Sequence, residues 1–310
     1  MLDRYGLDVG IFALWYAYLC ITWNIVGGFA GEFTFAHPVY VAMGGYTSAV
    51  LLAHWHISPW LGVLAGAALA ALLAAALSWI NFRQRLPHLT YALITLAITF
   101  IVVVTLRSLD VLGASEGLFI RRGHDPLNFM FRDKASYYYI ILTAVCLVLA
   151  FTVWLQQSRL GLHFVAVRDN PEAAAMLGVD PLTVMVASST VSAGLAAFGG
   201  TFYAQYLFVI DPSVASAELA VEIILFTAIG GLGTVWGPFW GPVAFVVLSR
   251  YLSQEFATVT GVGQFLYGVV IVVVLLVLRD GFVSWLGRRW RRGGSAMSSH
   301  RGSVGKSGLK

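Results

Sequence analysis

Seven stretches of this chain run without a single Asp, Glu, Lys or Arg: residues 9–31, 33–82, 86–106, 135–158, 181–210, 223–249 and 256–278. A helix that crosses a bilayer needs about 20 consecutive apolar residues. The window 33–82 has room for two, broken near His54-Trp55-His56-Ile57-Ser58-Pro59, so eight candidate segments result. Charged residues make up 11% of the 310 residues, against about 25% in a soluble domain. Too few charges remain to cover a surface in water. That excludes a soluble enzyme as the default, and equally a disordered or nucleic-acid-binding chain. The expected fold class is all-α, a polytopic transmembrane bundle with about 8–10 embedded segments, some broken or half-length. No basic region followed by a small-residue cleavage site marks a signal peptide.

The net charge of +4 is unevenly placed. From Arg279 onward there are eight Lys/Arg against one acid, a net of +7, which leaves −3 for the rest. Lys/Arg bias sets membrane orientation, so the tail is expected in the cytoplasm, as is the loop 156–183 with Arg159 and Arg168. Parity then constrains the stretch 219–251. One crossing there would carry the basic tail to the outside after segment 262–279. Two passes, turned about Gly230-Gly231-Leu232-Gly233 and Gly237-Pro238, remove the conflict and bring the embedded segments to nine. The loop 81–88 falls inside, and the loop 107–134 and the amino terminus fall outside. The outside loop carries five Lys/Arg, against the bias. Residues 1–287 read as one transmembrane domain, and 288–310 as a basic, Gly/Ser/Arg-rich cytoplasmic tail of disordered composition.

Small residues recur every four positions at Gly62, Gly66, Ala70 and Ala74, and again at Ser192, Ala196 and Gly200. Such faces let helices approach closely in lipid. Cys20 and Cys146 sit in apolar runs and read as buried small hydrophobes. Catalytic and metal-ligand patterns are missing from the sequence. His54 and His56 are two apart, the wrong spacing for one helix face, and no nucleophile motif is complete. Gly305-Lys306-Ser307 lacks the glycine five residues earlier that a phosphate loop needs, because position 300 is His300. The chain therefore has no nucleotide site or cofactor of its own, and active transport would draw on ATP bound by a partner.

Polar groups inside apolar runs are costly and tend to face a bundle interior or cavity. Asn24, Glu32, His37 and Glu222 are the candidates for a translocation path. Glu218 and Glu222, four apart, share a helix face. Two readings of them stand: a polar lining, or an interfacial Glu218 with Glu222 hydrogen-bonded between helices. A proton-coupled secondary carrier for a small organic solute could use the pair. In the loop 156–183, Asn170 can cap a helix with Pro171 in its first turn and Glu172 near its positive end. Gly178 can end that helix in a left-handed turn. Met176 and Leu177 give it an apolar side suited to a groove on another protein.

Several blocks together, in this order, resemble permeases of the branched-chain amino-acid ABC importers over roughly residues 16–285. They are Asn24 to His37, Gly44-Gly45-Tyr46-Thr47, Ser158-Arg159-Leu160-Gly161 leading to Arg168-Asp169-Asn170 and Glu172 to Gly178, Ala193 to Gly200, and Gly230 to Pro238. Glu32 stands where the family usually has Gln, Ala36 where it has Gly, and Gly113-Ala114-Ser115-Glu116-Gly117 replaces a G-G-S-[DN]-G pattern. The resemblance implies a bacterial inner-membrane permease that pairs with a second, homologous permease. It implies two cytoplasmic ATPase subunits and a periplasmic substrate-binding protein as further partners, with lipid around the bundle. Arg168, Asp169, Asn170, Glu172, Ala173, Ala174 and Gly178 would couple it to the ATPases. Branched-chain or related small amino acids are the expected cargo, with urea or short amides the alternative within the same family.

Overall fold

The computed structural model describes residues 4–84, 86–121, 123, 128–255 and 268–269. The α-helices with both ends described are α1 Arg4–Asn24, α2 His37–Trp55, α3 Pro59–Arg83, α4 His88–Ser108, α5 Lys134–Gln157, α6 Arg159–Asp169, α7 Pro171–Met176, α8 Pro181–Leu207, α9 Ala217–Gly230 and α10 Gly237–Glu255. Five spans are long and apolar enough to cross a membrane: Gly6–Phe29, Pro59–Arg83, His88–Ser108, Lys134–Gln157 and Pro181–Leu207. With α2, α9 and α10 packed among them, the chain is a multi-pass membrane protein of helical architecture. Apart from residues 268–269, the segment 262–279 and the basic tail lie outside the described residues.

Most boundaries follow from local chemistry. Ser58 caps α3, accepting from the Trp60 amide, with Pro59 in the first turn. His56 takes the left-handed conformation that closes α2 (φ 52°), so the break expected at 54–59 is where α2 turns into α3. Asp180 caps α8 through the amides of Leu182 and Thr183.

Contacts define two ends of the bundle. At one, Asp8 of α1 pairs with Lys134 at the start of α5 (2.5 Å) and accepts from Tyr206 near the end of α8. Arg250 of α10 lies over Phe12 there, 5.1 Å from the ring centre. A two-residue antiparallel pair, β1 Leu118–Phe119 with β2 Val209–Ile210, joins the 109–133 loop to the α8–α9 connection. At the other end, Asn24 meets the α9–α10 turn through Gly233 and Thr234. The stretch 219–251 therefore falls in two helices joined by a turn, the arrangement the parity argument expected. Gly231 (φ 124°) and Gly233 (φ 70°) make the turn between the two helices.

The centre of the bundle is the packing of α2, α3 and α8. On α3 the buried face is Pro59, Gly62, Gly66, Ala70, Ala74 and Ser78, the small-residue stripe extended by one position at each end. A Cβ on Gly66 would lie 2.8 Å from Gly44 Cα of α2. One on Gly200 of α8 would lie 1.7 Å from the Val41 carbonyl oxygen. Backbones touch here, which only glycine permits. On the far side of α3, Leu61, Leu64, Leu69 and Leu72 are exposed, as a lipid-facing surface would be. Cys20 is buried as expected, but Cys146 is exposed on α5. An apolar run in lipid does not reveal which of its residues face the bundle, because lipid tails accept a small hydrophobe as readily as a core does.

Candidate functional site: the α6–α7 segment and the break after α1

After Asn24 the first helix widens into a single π turn, Ile25–Phe29, and then stops. Such turns frequently mark functional positions. Residues 30–36 continue as irregular chain before α2 begins at His37. Irregular backbone at membrane depth survives only where protein or a water-filled cavity satisfies it. Here protein does so. The Glu32 amide donates to Val26 O (3.0 Å), Trp23 Nε1 donates to Thr34 O (3.0 Å), and the Thr99 hydroxyl donates to Phe35 O (3.0 Å).

Two polar assemblies hold this break. The first centres on Glu32, which is 2% exposed. Its carboxylate accepts from Asn81 Nδ2 (2.8 Å), from Ser189 Oγ (2.7 Å) and from Ser78 Oγ (3.1 and 3.2 Å). Donors from α3 and α8 thus converge on one buried acid, which compensates its loss of water. The second assembly ties three chain segments together. Asn24 accepts from the Gly233 amide and donates to Thr234 O, each at 2.9 Å. Arg168 reaches from α6 and donates through Nη1 to Gly28 O at 2.9 Å. Gly31 (φ 77°) and Gly233 (φ 70°) face this guanidinium, and an added Cβ would lie 2.4 Å from Arg168 Cγ and 3.1 Å from Nη1, respectively. Both positions need glycine for backbone conformation and for space.

The segment that carries Arg168 is built locally. Ser158 caps α6 by accepting from the Gly161 amide (3.2 Å). Asn170 caps α7 by accepting from the Ala173 amide (3.0 Å), with Pro171 in the first turn. Gly178 (φ 84°) ends it, and the Val179 amide returns to Ala174 O (3.1 Å). One side is anchored: Phe164, Val167 and Ala174 are buried with Ile25 and Phe29 of the π turn, Leu155 of α5, and Val184 and Met185 of α8. The other side is open. Asp169, Glu172 and Ala173 are exposed, and Met176 and Leu177 are 87% and 84% exposed at the tip. A cleft of about 550 Å3 runs between this segment and the bundle, from Glu32 and Asn81 past His88 to Asn170 and Glu172.

Of the four residues expected along a path, Glu32 lines this cleft, and Asn24, His37 and Glu222 are not among its described lining residues. Asn24 is buried in the three-segment junction, and His37 is buried with Nε2 3.1 Å from Thr22 Oγ1. Glu222 is half-buried one helix away, accepting from the Tyr16 hydroxyl at 2.6 Å, while Glu218 is exposed. The interhelical reading of Glu222 is therefore the one the structure adopts. Sequence reading missed α6 as a helix, and missed Ser78, Asn81 and Ser189 as partners of Glu32. Ser78 was findable, since it continues the four-residue stripe of α3. Ser189 lies 157 residues from Glu32, and only the packing of α8 against the break brings them together.

The sequence model of the family described as branched-chain amino acid transport system / permease component matches residues 7–275. The high-affinity branched-chain amino acid transport system permease protein LivH of Escherichia coli K12 is 27% identical over 289 residues, covering 86% of this chain and 91% of the relative. LivM of the same strain is 25% identical over 280 residues, covering 83% and 65%. The probable permease LivH of Methanocaldococcus jannaschii is 22% identical over 252 residues, covering 78% of each. No solved structure is significantly similar.

Proposed function

Because the chain belongs to the family of branched-chain amino acid transport system permease components, we propose that it forms half of the path of an ATP-driven importer for branched-chain or related small amino acids. A second, homologous permease supplies the other half. Two cytoplasmic ATPase subunits grip α7, and a periplasmic binding protein delivers the cargo. The chain itself does no covalent chemistry and holds no cofactor. It resides in the bacterial inner membrane, with α6–α7 and the basic tail in the cytoplasm.

The observation that carries the coupling half of this reading is the reach of Arg168 to Gly28 O. A segment with an exposed apolar tip is joined, by one charged hydrogen bond and one buried cluster, to the break after α1. Motion imposed on α7 by a closing ATPase pair would be delivered to the π turn and, through Gly233 and Asn24, to the α9–α10 turn. Asn24 thereby belongs with the coupling residues rather than on a path wall. Asn170, Glu172, Ala173, Ala174 and Gly178 shape and present the docking helix, and Asp169 steadies Arg168 at 3.1 Å.

The test is co-purification of the tagged chain in mild detergent, wild type beside Glu172→Arg with Gly178→Trp, followed by leucine uptake into proteoliposomes. The expected result is that wild type brings down ATPase subunits and a second permease, and takes up leucine only with ATP. The double variant should lose the ATPases while keeping the second permease. Wild type that purifies alone and carries leucine without ATP overturns the importer reading.

A further inference from the structure

One side of α9 is open. Glu218 and Val221 are exposed and Glu222 and Leu225 half-buried, while Leu219, Ile223, Phe226 and Thr227 on the other side are buried. Spacings of three and four put the open residues on one helix face. Glu222 uses one carboxylate oxygen, Oε2, to accept from the Tyr16 hydroxyl at 2.6 Å. Among the described residues, no hydrogen bond or ion pair uses Oε1. The sequence 256–278, most of which lies outside the described residues, contains no Asp, Glu, Lys or Arg and so brings Glu222 no counter-ion.

The bond to Tyr16 fixes the depth of this carboxylate. Tyr16 stands ten residues in from the start of the span Gly6–Phe29 and thirteen from its end. Asp8 and Asn24, whose contacts mark the two ends of the bundle, are each eight residues from it along α1. At 1.5 Å per residue, Glu222 lies about 12 Å from either end, in the middle of the bundle. The open faces of the other spans differ in kind. Leu72 of α3, Phe100 and Ile101 of α4 and Leu147 of α5 are exposed hydrophobes that lipid tails accept. A carboxylate with an open oxygen at this depth faces a cavity or another protein chain, because lipid offers it neither water nor a partner.

We propose that this α9 stripe faces the aqueous path, and that Glu222 Oε1 receives the α-ammonium of the passing amino acid. The assignment rests on the importer reading above and names the residue that meets the cargo. Tyr16 holds the carboxylate in one orientation and leaves its second oxygen for a charge-assisted hydrogen bond. Val221 and Leu225, on the same face, give a branched aliphatic side chain an apolar neighbour on either side of that charge.

The experiment uses the assembled transporter in proteoliposomes, with Cys146→Ser to remove the exposed native thiol. Single cysteines are placed by Val221→Cys, Leu225→Cys and Leu72→Cys, and labelled with 2-(trimethylammonium)ethyl methanethiosulfonate. Leu72 is 70% exposed and Val221 42%, so access to the protein surface alone would favour Leu72→Cys. The thiolate is the reacting form, and it needs water. Val221→Cys and Leu225→Cys should therefore react at least about tenfold faster than Leu72→Cys. Leucine should slow the labelling of Leu225→Cys, whereas 4-methylpentanoate, the same skeleton without the ammonium, and potassium chloride should not. In Glu222→Gln, leucine uptake should fall about tenfold while ATP hydrolysis persists. Labelling of both α9 cysteines no faster than Leu72→Cys overturns the proposal, since the stripe would not meet water. Equal protection by 4-methylpentanoate or by potassium overturns the ammonium assignment, as does wild-type uptake in Glu222→Gln. If Glu222→Gln does not assemble, the protection measurement decides alone. Leucine uptake that needs no ATP would overturn the importer reading instead, and the labelling contrast would still show whether the stripe meets water.

Discussion

The seam of α2, α3 and α8 and the junction at the break after α1 are both tight, but they are tight by different means. In the seam, backbones meet at Gly44, Gly66 and Gly200 with no charged group between them. At the junction, chain segments are held by polar groups: Glu32 with its α3 and α8 donors, Asn24 with the α9–α10 turn, Arg168 with Gly28. Close-packed backbone has one arrangement and resists displacement. Directional hydrogen bonds can be exchanged one for another, so an element held by them can have two positions at modest cost. The seam is thus the frame, and the break, with α6–α7 attached, is the part suited to move.

Substitutions separate the two. Gly200→Leu forces a side chain into the Val41 carbonyl, and neither backbone can give way. The expected cost exceeds about 3 kcal/mol, read as loss of monodisperse protein in detergent. A well-folded variant with wild-type melting would break the comparison. Glu32→Ala comes next. It leaves Ser78, Asn81 and Ser189 without their common acceptor, at about 2–3 kcal/mol in detergent thermal unfolding. Glu32→Gln keeps the shape and one acceptor oxygen, and should cost about 1 kcal/mol. If both behaved as wild type, the Glu32 assembly would not be holding the break.

Arg168→Met sharpens the contrast, because its effects on fold and on transport should diverge. Arg168 is 36% exposed, so removing its bond to Gly28 should cost only about 1 kcal/mol in melting. ATP hydrolysis by the assembled complex should persist while leucine uptake falls at least about tenfold, with partial return in Arg168→Lys, which keeps a donor without the planar fork. A parallel fall in hydrolysis and uptake would place Arg168 in assembly rather than in transmission.

The frame was more legible in the sequence than the junction, for a physical reason. A close helix approach in lipid needs small residues at regular spacing, so the stripes on α3 and α8 announce it. The caps of α7 were equally plain, since Asn170, Pro171 and Gly178 each act on neighbours within a few residues. The junction joins positions such as Gly28 and Arg168, 140 residues apart, or Asn24 and Gly233, 209 apart. No local pattern encodes such partners. Glu32 could be marked as costly, but its donors are ordinary serines and an asparagine until the helices bring them together.

The smallest expected effect is at the start of α8, where the α6–α7 segment hands over to the frame. Asp180 accepts from the Thr183 hydroxyl and from the amides of Thr183 and Leu182. These bonds, the hydroxyl foremost, hold its carboxyl below the ordinary value, against a slight opposing effect of burial. A carboxylate with a lowered folded pKa stabilises the fold fully above its unfolded value. That contribution is lost as pH falls through the folded value. The α8 cap should therefore be unchanged between pH 7 and 5 and weaken only below about pH 4. Asp180→Ala should cost at most about 1 kcal/mol at neutral pH. Hydrogen exchange at the Leu182 and Thr183 amides should show that loss, and Asp180→Asn should flatten the acid limb. An acid limb that survives Asp180→Asn would assign the pH response to another group and leave the hand-over from α7 to α8 independent of this cap.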